Sequence, residues 1–211
     1  MTTIGLIGAG HIGSQIARQA VANGYDVVVS NSRGPETLTE LVAELGEHAT
    51  AATTEQAAAA ADIAVVTIPF HAIDQVPVEP LNGKPVIDTN NYYWERDGHR
   101  PELDDFSETS SEQLQRRLAG AHVVKAFNHI FASDITDNAQ KPGTDGRRAL
   151  AVYGDDAEAN KVVSDFIDSI GFDVVDGGPL SESWRIQRDT PGYGPRMTAA
   201  ELREALQAAT R

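Results

Sequence analysis

The chain has 211 residues, a hydrophobic content of 41 %, a formal net charge of −14 and no cysteine. That length suits one large domain, or one domain with an appendage. The missing cysteines exclude disulfides, thiolate metal sites and a cysteine nucleophile, and suit a reducing cytoplasm. The negative surface disfavours nucleic acid and acidic membranes as partners.

Taken in chain order, the residues alternate between strand and helix patterns, the mark of a mostly parallel sheet covered on both faces. Thr3 to Ile7 reads as a first strand, with no basic leader ahead of it, so a cytoplasmic location is expected. The run Gly8-Ala9-Gly10-His11-Ile12-Gly13 follows, then a helix ending at Asn23-Gly24 and a second strand from Asp26 to Ser30. Pro35 to Leu45 is expected as one helix, and Ala49 to Ala52 as a short strand. Thr54 is expected to cap a helix through Ala61. The apolar run Ile63 to Ile68 reads as a buried parallel strand, and Pro69 ends it. A short helix at His71 to Gln75 and a strand at Pro85 to Asp88 come next.

Thr89 to Asp105 reads as an irregular aromatic loop carrying Tyr92, Tyr93 and Trp94. Ser110 or Ser111 should open a helix that stops at Gly120, and Val123 to Phe127 a strand. Ile135 to Arg147 is expected as a polar loop, Ala149 to Tyr153 as a strand, Asp155 to Ile170 as a helix and Phe172 to Val175 as the last strand. A hinge-like Pro191-Gly192-Tyr193-Gly194-Pro195 precedes a tail helix from Thr198, with a capping box to Glu201. No run of about eighteen apolar residues suggests a spanning helix. The fold expected is α/β, a Rossmann-type doubly wound sheet over residues 1–180. Residues 181–211 form a C-terminal helical segment that closes the site or makes a dimer contact.

The glycine run has the context that a dinucleotide fingerprint requires: strand before, helix after, second strand beyond. Gly8 allows the sharp turn, Gly10 leaves room for a pyrophosphate, and Gly13 lets the helix pack close to the sheet. The free amides of the first helical turn point at the anion, and the helix dipole adds attraction. A ligand-free glycine turn is the plain alternative. An NAD site places an acid at the end of the second strand. Here Ser30-Asn31-Ser32-Arg33 stands there, and the nearest acid is Glu36 beyond Gly34-Pro35. Arg33 offers a charged fork for a 2′-phosphate, so NADP(H) is expected; the bland alternative is a polar loop with a solvated arginine.

Further segments carry a resemblance. They are Asn31-Ser32-Arg33, Thr67-Ile68-Pro69, Val124-Lys125-Ala126-Phe127-Asn128, Val152-Tyr153-Gly154-Asp155-Asp156 and Asp176-Gly177-Gly178-Pro179-Leu180. With the glycine turn, they make most of the chain similar to the NADP-dependent oxidoreductases that use a deazaflavin coenzyme of the F-420 type, and to their reductase-like relatives. The resemblance implies that Gly8, Ala9, Gly10, His11, Ile12 and Gly13 hold the pyrophosphate and that Asn31, Ser32 and Arg33 hold the 2′-phosphate. It places Ile68, Pro69 and Phe70 against the nicotinamide. Ala126 and Asn128, with Gly178 to Leu180, then border the deazaflavin side.

The implied reaction is hydride transfer between NADP(H) and a small-molecule acceptor, a deazaflavin or a flavin, in a homodimer without membrane or nucleic-acid partners. Ring-to-ring hydride transfer asks little of side chains, so no catalytic residue is assigned. A carbonyl or imine reductase would need a proton donor, for which His129 and Tyr92 are the weak candidates, with Tyr93 and Lys125 behind them. The six histidines have no metal-ligand spacing. A non-catalytic NADP(H)-binding regulatory protein remains the alternative in a different class, and quinones, ferric chelates and small carbonyls the alternative acceptors.

Overall fold

The computed structural model describes residues 1–211. Its strands are β1 (Thr3–Ile7), β2 (Asp26–Ser30), β3 (Ala49–Ala51), β4 (Ile63–Val66), β5 (Pro85–Asp88), β6 (His122–Lys125), β7 (Ala149–Gly154) and β8 (Asp173–Asp176). They form one sheet in the order β3-β2-β1-β4-β5-β6-β7-β8. The first six are parallel. β7 reverses against β6, and β8 runs parallel to β7. The carboxyl ends of β1, β2, β4, β5 and β6 therefore share one edge, and those of β7 and β8 lie on the other. The chain winds outward from β1 to β3, then crosses back to β4, so the order reverses between β1 and β4. Open α/β sheets bind ligands in the crevice at such a reversal.

Two helical layers cover this sheet. On one face α1 (His11–Ala22), α2 (Thr39–Leu45) and α8 (Ala157–Ser169) lie over the strands. Ile16, Ala17, Ala20, Val163, Phe166 and Ile167 pack there against Ile4, Leu6, Val27, Val29, Leu150 and Val152. On the other face α3 (Thr54–Ala60) and α6 (Ser110–Arg117) pack Ala58, Leu114 and the following Leu118 against Ile7, Ala64, Val66, Val86 and Val123. Strands with apolar residues on both faces are what a parallel sheet needs.

The tail helix α9 (Ala199–Ala208) lays Leu202 and Leu206 on Ala149, Ala151, Tyr153 and Val175 of β7 and β8. Thr198 caps it, accepting from the Glu201 amide, with Glu201 reaching back as expected. Trp184 is covered by the guanidinium groups of Arg185 and Arg211, at 4.4 and 5.0 Å from the ring centroid. No helix is long and apolar enough to cross a membrane.

Several expectations need correction. Pro35–Leu38 is a 3-10 turn, and α2 starts only at Thr39, because Pro35 and the positive φ of Gly34 (102°) set a tight entry. Thr53, one residue earlier than expected, caps α3 in a full capping box with Gln56. Thr109 caps α6 in the same way with Glu112, ahead of both serines. The 89–105 segment contains two single-turn helices, α4 (Trp94–Asp97) and α5 (Pro101–Asp104). The expected polar loop opens with α7 (Ala132–Asp137), whose buried Ile135 packs into the core beside α1. The strand expected to run to Phe127 stops at Lys125, since Phe127 takes a left-handed conformation with φ 61°.

Candidate nucleotide and hydride-transfer site

A cleft of ≈ 510 Å³ opens on the shared edge at the β1/β4 reversal. Its walls include Ile7 to Gly10 after β1, Asn31 to Arg33 after β2, and Thr67 to Pro69 after β4, with Thr54 and Glu55 at the start of α3. Three segments distant in sequence therefore meet where the sequence placed a dinucleotide.

Sterics enforce the glycine turn. Gly8 has φ 110°, and a Cβ there would stand 2.6 Å from the Thr67 carbonyl oxygen. A Cβ on Gly13 would stand 2.3 Å from the Gly8 carbonyl oxygen. A Cβ on Gly10 would meet nothing within 4 Å. Gly8 and Gly13 are thus demanded by the protein's own packing, whereas Gly10 faces open space. Thr67 clamps the turn by donating from Oγ1 to the Gly8 oxygen at 2.7 Å; it stands in a motif singled out in the sequence but was given no role there.

Helix α1 starts at Gly10 with no side-chain cap and no acid in its first turn. Its first amides are left for an anion, as helix starts that bind phosphate require. His11 and Ile12 belong to that turn through their backbone; their side chains are not part of the cleft lining.

At the end of β2 the four polar residues divide their tasks. Ser30 is buried and its hydroxyl donates to the Leu6 oxygen at 2.7 Å, so it belongs to the sheet and not to a phosphate site. Asn31 accepts from the Arg33 amide at 2.9 Å and donates to Thr37 Oγ1 at 2.9 Å, which shapes the turn. Ser32 and Arg33 remain exposed, and Arg33 makes no ion pair although acids outnumber bases 31 to 17 in this chain. These residues fit the pyrophosphate and 2′-phosphate of NADP(H). Glu55 is the one acid in the lining.

Further along the edge the structure separates the remaining candidates. Ile68 is partly buried and Pro69 exposed, both in the cleft wall, while Phe70 is fully buried beneath them. The Phe70 ring packs edge-on to Tyr92 and under the Arg100 guanidinium, so it supports the wall and does not line it. Ala126 is fully buried. Asn128, 5 % exposed, spends its amide on the Ile186 oxygen (2.7 Å) and Asn91 Oδ1 (3.1 Å). Asn91 returns a bond to the Asn128 carbonyl at 2.7 Å. The left-handed Phe127 turns the chain so that this lock forms. Such a conformation is costly for a residue with a side chain, and the lock holds it.

The proton-donor candidates fare as follows. His129 is 3 % exposed and accepts the Ala151 backbone N–H on Nε2 at 3.1 Å, so its proton sits on Nδ1 facing Asn128 Oδ1 at 3.3 Å. Burial first, then the charges of Arg148 and Lys125, lower its pKa to about 3. It is a neutral ring that ties β7 to the end of β6, and its remaining N–H is too weakly acidic to serve as the proton donor.

Lys125 and Asp88 are both wholly buried, with Nζ 3.1 Å from Oδ2. Lys125 also donates to the Asn90 carbonyl and to Ser110 Oγ (3.3 Å), and Ser111 donates to Asp88 Oδ2 at 2.7 Å. Burial pulls the lysine pKa down and Asp88 opposes that pull. This pair fastens the ends of β5 and β6 to α6, out of reach of a ligand. Tyr92 donates to Asp104 Oδ1 (2.7 Å) and accepts the Arg100 amide (3.1 Å), which directs it into the 98–104 turn. Desolvation, then the hydrogen bond to Asp104, raise its pKa.

The 89–105 segment is organised around Asp97. Burial works against its charge, but bonds from Arg96, the Tyr93 amide and His71 prevail and hold its pKa at about 2. Tyr93 thereby comes to stand 2.5 Å, hydroxyl to hydroxyl, from Tyr193 of the C-terminal stretch. Sequence reasoning assigned Tyr193 no part in a site; its only signal was its place in a proline- and glycine-bounded hinge.

Residues 3–92 match the family model "NADP oxidoreductase coenzyme F420-dependent". A solved hypothetical protein from Sinorhizobium meliloti is similar, at 31 % identity and a TM-score of 0.82, over 94 % of this chain and 96 % of that one. A solved Arthrobacter protein, titled as a candidate F420-dependent NADP-reductase, is 26 % identical with a TM-score of 0.73, over 87 % of each chain. The rat metalloreductase STEAP3 is 28 % identical over 188 residues, 87 % of this chain. Those residues make up 35 % of the rat protein, so the chain spans about a third of that curated relative's length.

Proposed function

Since the chain belongs to the family of coenzyme F420-dependent NADP oxidoreductases, we propose that it binds NADP(H) in the β1/β4 cleft and moves hydride between the nicotinamide and a ring acceptor, a deazaflavin of the F420 type first among them. The observation that carries the nucleotide part is the unpaired Arg33 beside Ser32, in one cleft with the uncapped start of α1. A guanidinium fork suits a phosphate monoester, and an NAD site would carry an acid at that place.

Bound NADPH would supply a hydride at its nicotinamide ring. The chain's own part is to hold and to exclude. Amides of the α1 first turn take the pyrophosphate, and Ser32 with Arg33 take the 2′-phosphate. Ile68 and Pro69 give the nicotinamide half an apolar wall that keeps water away. The locks Asp88–Lys125 and Asn91–Asn128 keep the ends of β5 and β6 still, so that a donor and an acceptor ring can be held face to face.

The test is NADPH consumption by the purified protein with a panel of acceptors: coenzyme F420, FMN, FAD, a quinone, ferric citrate and small carbonyls. Consumption that depends on one of the ring acceptors supports the reading. Tight NADPH binding with no consumption in any arm would leave the non-catalytic, regulatory reading in its place.

A further inference from the structure

Past the cleft, the same edge of the sheet carries a second assembly, built on the ends of β5 and β6. Tyr93 follows the Asn91 lock, and Gly194 donates its amide to the His129 carbonyl at 3.1 Å. The two phenols therefore stand over those strand ends, with Tyr93 Oη and Tyr193 Oη 2.5 Å apart and both residues half-buried. The pair thus stands on the same edge as the nucleotide cleft, one to two strands beyond β4.

Phe131 flanks it, 63 % exposed, with its ring tip 3.6 Å from where a Cβ on Gly194 would be. It precedes α7, which packs beside α1, and Thr136 of α7 donates to Gln15 of α1 at 3.2 Å. A bare aromatic ring thus stands beside the phenol pair, and the helix it leads into packs against α1. A single exposed ring is ordinary on a surface; here it stands next to a half-buried phenol pair.

We propose that Phe131, Tyr93 and Tyr193 form the acceptor shelf of this chain, and that the tyrosine pair delivers the proton that accompanies the hydride. This rests on the hydride-transfer reading above and narrows its acceptor to a planar ring or conjugated group that takes up both. Only one hydroxyl of a bonded pair can donate to the other, so the second keeps its hydrogen for a ligand. In the step, the acceptor gains a hydride from the reduced nicotinamide, which is oxidised, and a proton from that phenol. One phenolic O–H breaks, one N–H or O–H forms on the acceptor, and the phenolate regains its proton from solvent through the partner hydroxyl.

The charges around the pair pull in both directions. Arg96 and Arg188 lie over the Tyr93 ring at 4.9 and 5.7 Å, while Glu95 and Asp189 pair with Arg188. Burial, then the hydrogen bond to Tyr93, raise the Tyr193 pKa, so it holds its proton at neutral pH. A ferric chelate takes up electrons alone and would have no use for the pair.

The experiment compares wild type with Tyr193→Phe, Tyr93→Phe and Phe131→Ser, using coenzyme F420, FMN and ferric citrate as acceptors. NADPH affinity is measured separately by nicotinamide fluorescence, and folding by thermal melting. General acid catalysis is worth roughly 100-fold or more, so either phenylalanine variant should lose about that factor in kcat with F420 or FMN and keep its NADPH affinity. The solvent deuterium isotope effect on kcat should change with it, which loss of a merely structural tie would not cause. Phe131→Ser should raise KM for the ring acceptors more than it lowers kcat.

Turnover by Tyr193→Phe within about two-fold of wild type overturns the proposal, as does faster consumption with ferric citrate than with either ring acceptor. If wild type consumes no NADPH with any acceptor, the hydride-transfer reading itself falls.

Discussion

Replacing Lys125 with methionine removes one half of an ion pair whose two side chains are both wholly enclosed. The methionine fills most of the space but leaves the Asp88 carboxylate buried without its cation. Breaking such a pair from one side costs about 3 to 5 kcal/mol. Asp88 keeps the Ser111 hydroxyl at 2.7 Å and the Asn90 amide at 2.9 Å, so the lower end, about 3 kcal/mol, is expected. For a domain of this size each kcal/mol moves the melting temperature by about 2 to 4 °C. Thermal melts followed by far-UV circular dichroism at pH 7 should therefore show a fall of roughly 6 to 12 °C. The double variant Lys125→Met with Asp88→Asn removes the stranded charge and should recover at least half of that loss. A single variant that melts within about 2 °C of wild type, or a double variant worse than the single, would refute the claim that this pair is sealed from water and fastens β5 to β6.

Two glycines separate fold from binding. Gly13→Ala forces a Cβ to 2.3 Å from backbone and should cost roughly 1 to 3 kcal/mol of stability, as overpacking does, visible in a melt without nucleotide. Gly10→Ala meets nothing within 4 Å, so its melt should match wild type while calorimetry shows weakened NADPH binding; a normal affinity there would move the pyrophosphate elsewhere. His129 makes a pH signature. Its folded pKa of about 3 lies below the ordinary value of 6.5, so its contribution to stability is whole above pH 6.5. That contribution is lost as the pH falls toward 3, with a slope of up to about 1.4 kcal/mol per pH unit. Denaturant titrations of wild type and His129→Gln between pH 4 and 7 should differ in slope by that much, and parallel curves would contradict the buried, neutral ring.

Much of the fold was legible because its signals are local. The apolar runs at Thr3 to Ile7 and Ile63 to Ile68 read directly as buried parallel strands, the second two residues longer than β4, and Asn23 as a helix end. The glycine turn could be read to the residue because Gly8 and Gly13 answer to backbone atoms a few ångströms away. Less visible were features that depend on distant partners. Helix α7 has only Ala132 and Ile135 as apolar residues, and Ile135 finds its partners in distant segments beside α1. Ser30 and Asn128 look like ligand contacts in sequence, yet their polar atoms are taken by Leu6, Ile186 and Asn91. Phe70 reads as part of a cleft wall, but tertiary packing places it one layer down. The Tyr93–Tyr193 pair joins residues a hundred positions apart, and nothing in either local pattern announces the other.

The central claim is that the end of β2 recognises a phosphate. Arg33 is exposed and unpaired, so Arg33→Ala should leave stability within about 0.5 kcal/mol of wild type, as at other surface sites. A hydrogen bond to a charged group is worth about 1.5 to 3 kcal/mol. The most direct measurement is the dissociation constant of NADPH and of NADH, taken by calorimetry on wild type and on Arg33→Ala. The account predicts that wild type prefers NADPH, that the variant loses about 10- to 150-fold in NADPH affinity, and that NADH affinity does not change. Equal affinities for the two nucleotides in wild type, both untouched by the substitution, would contradict it.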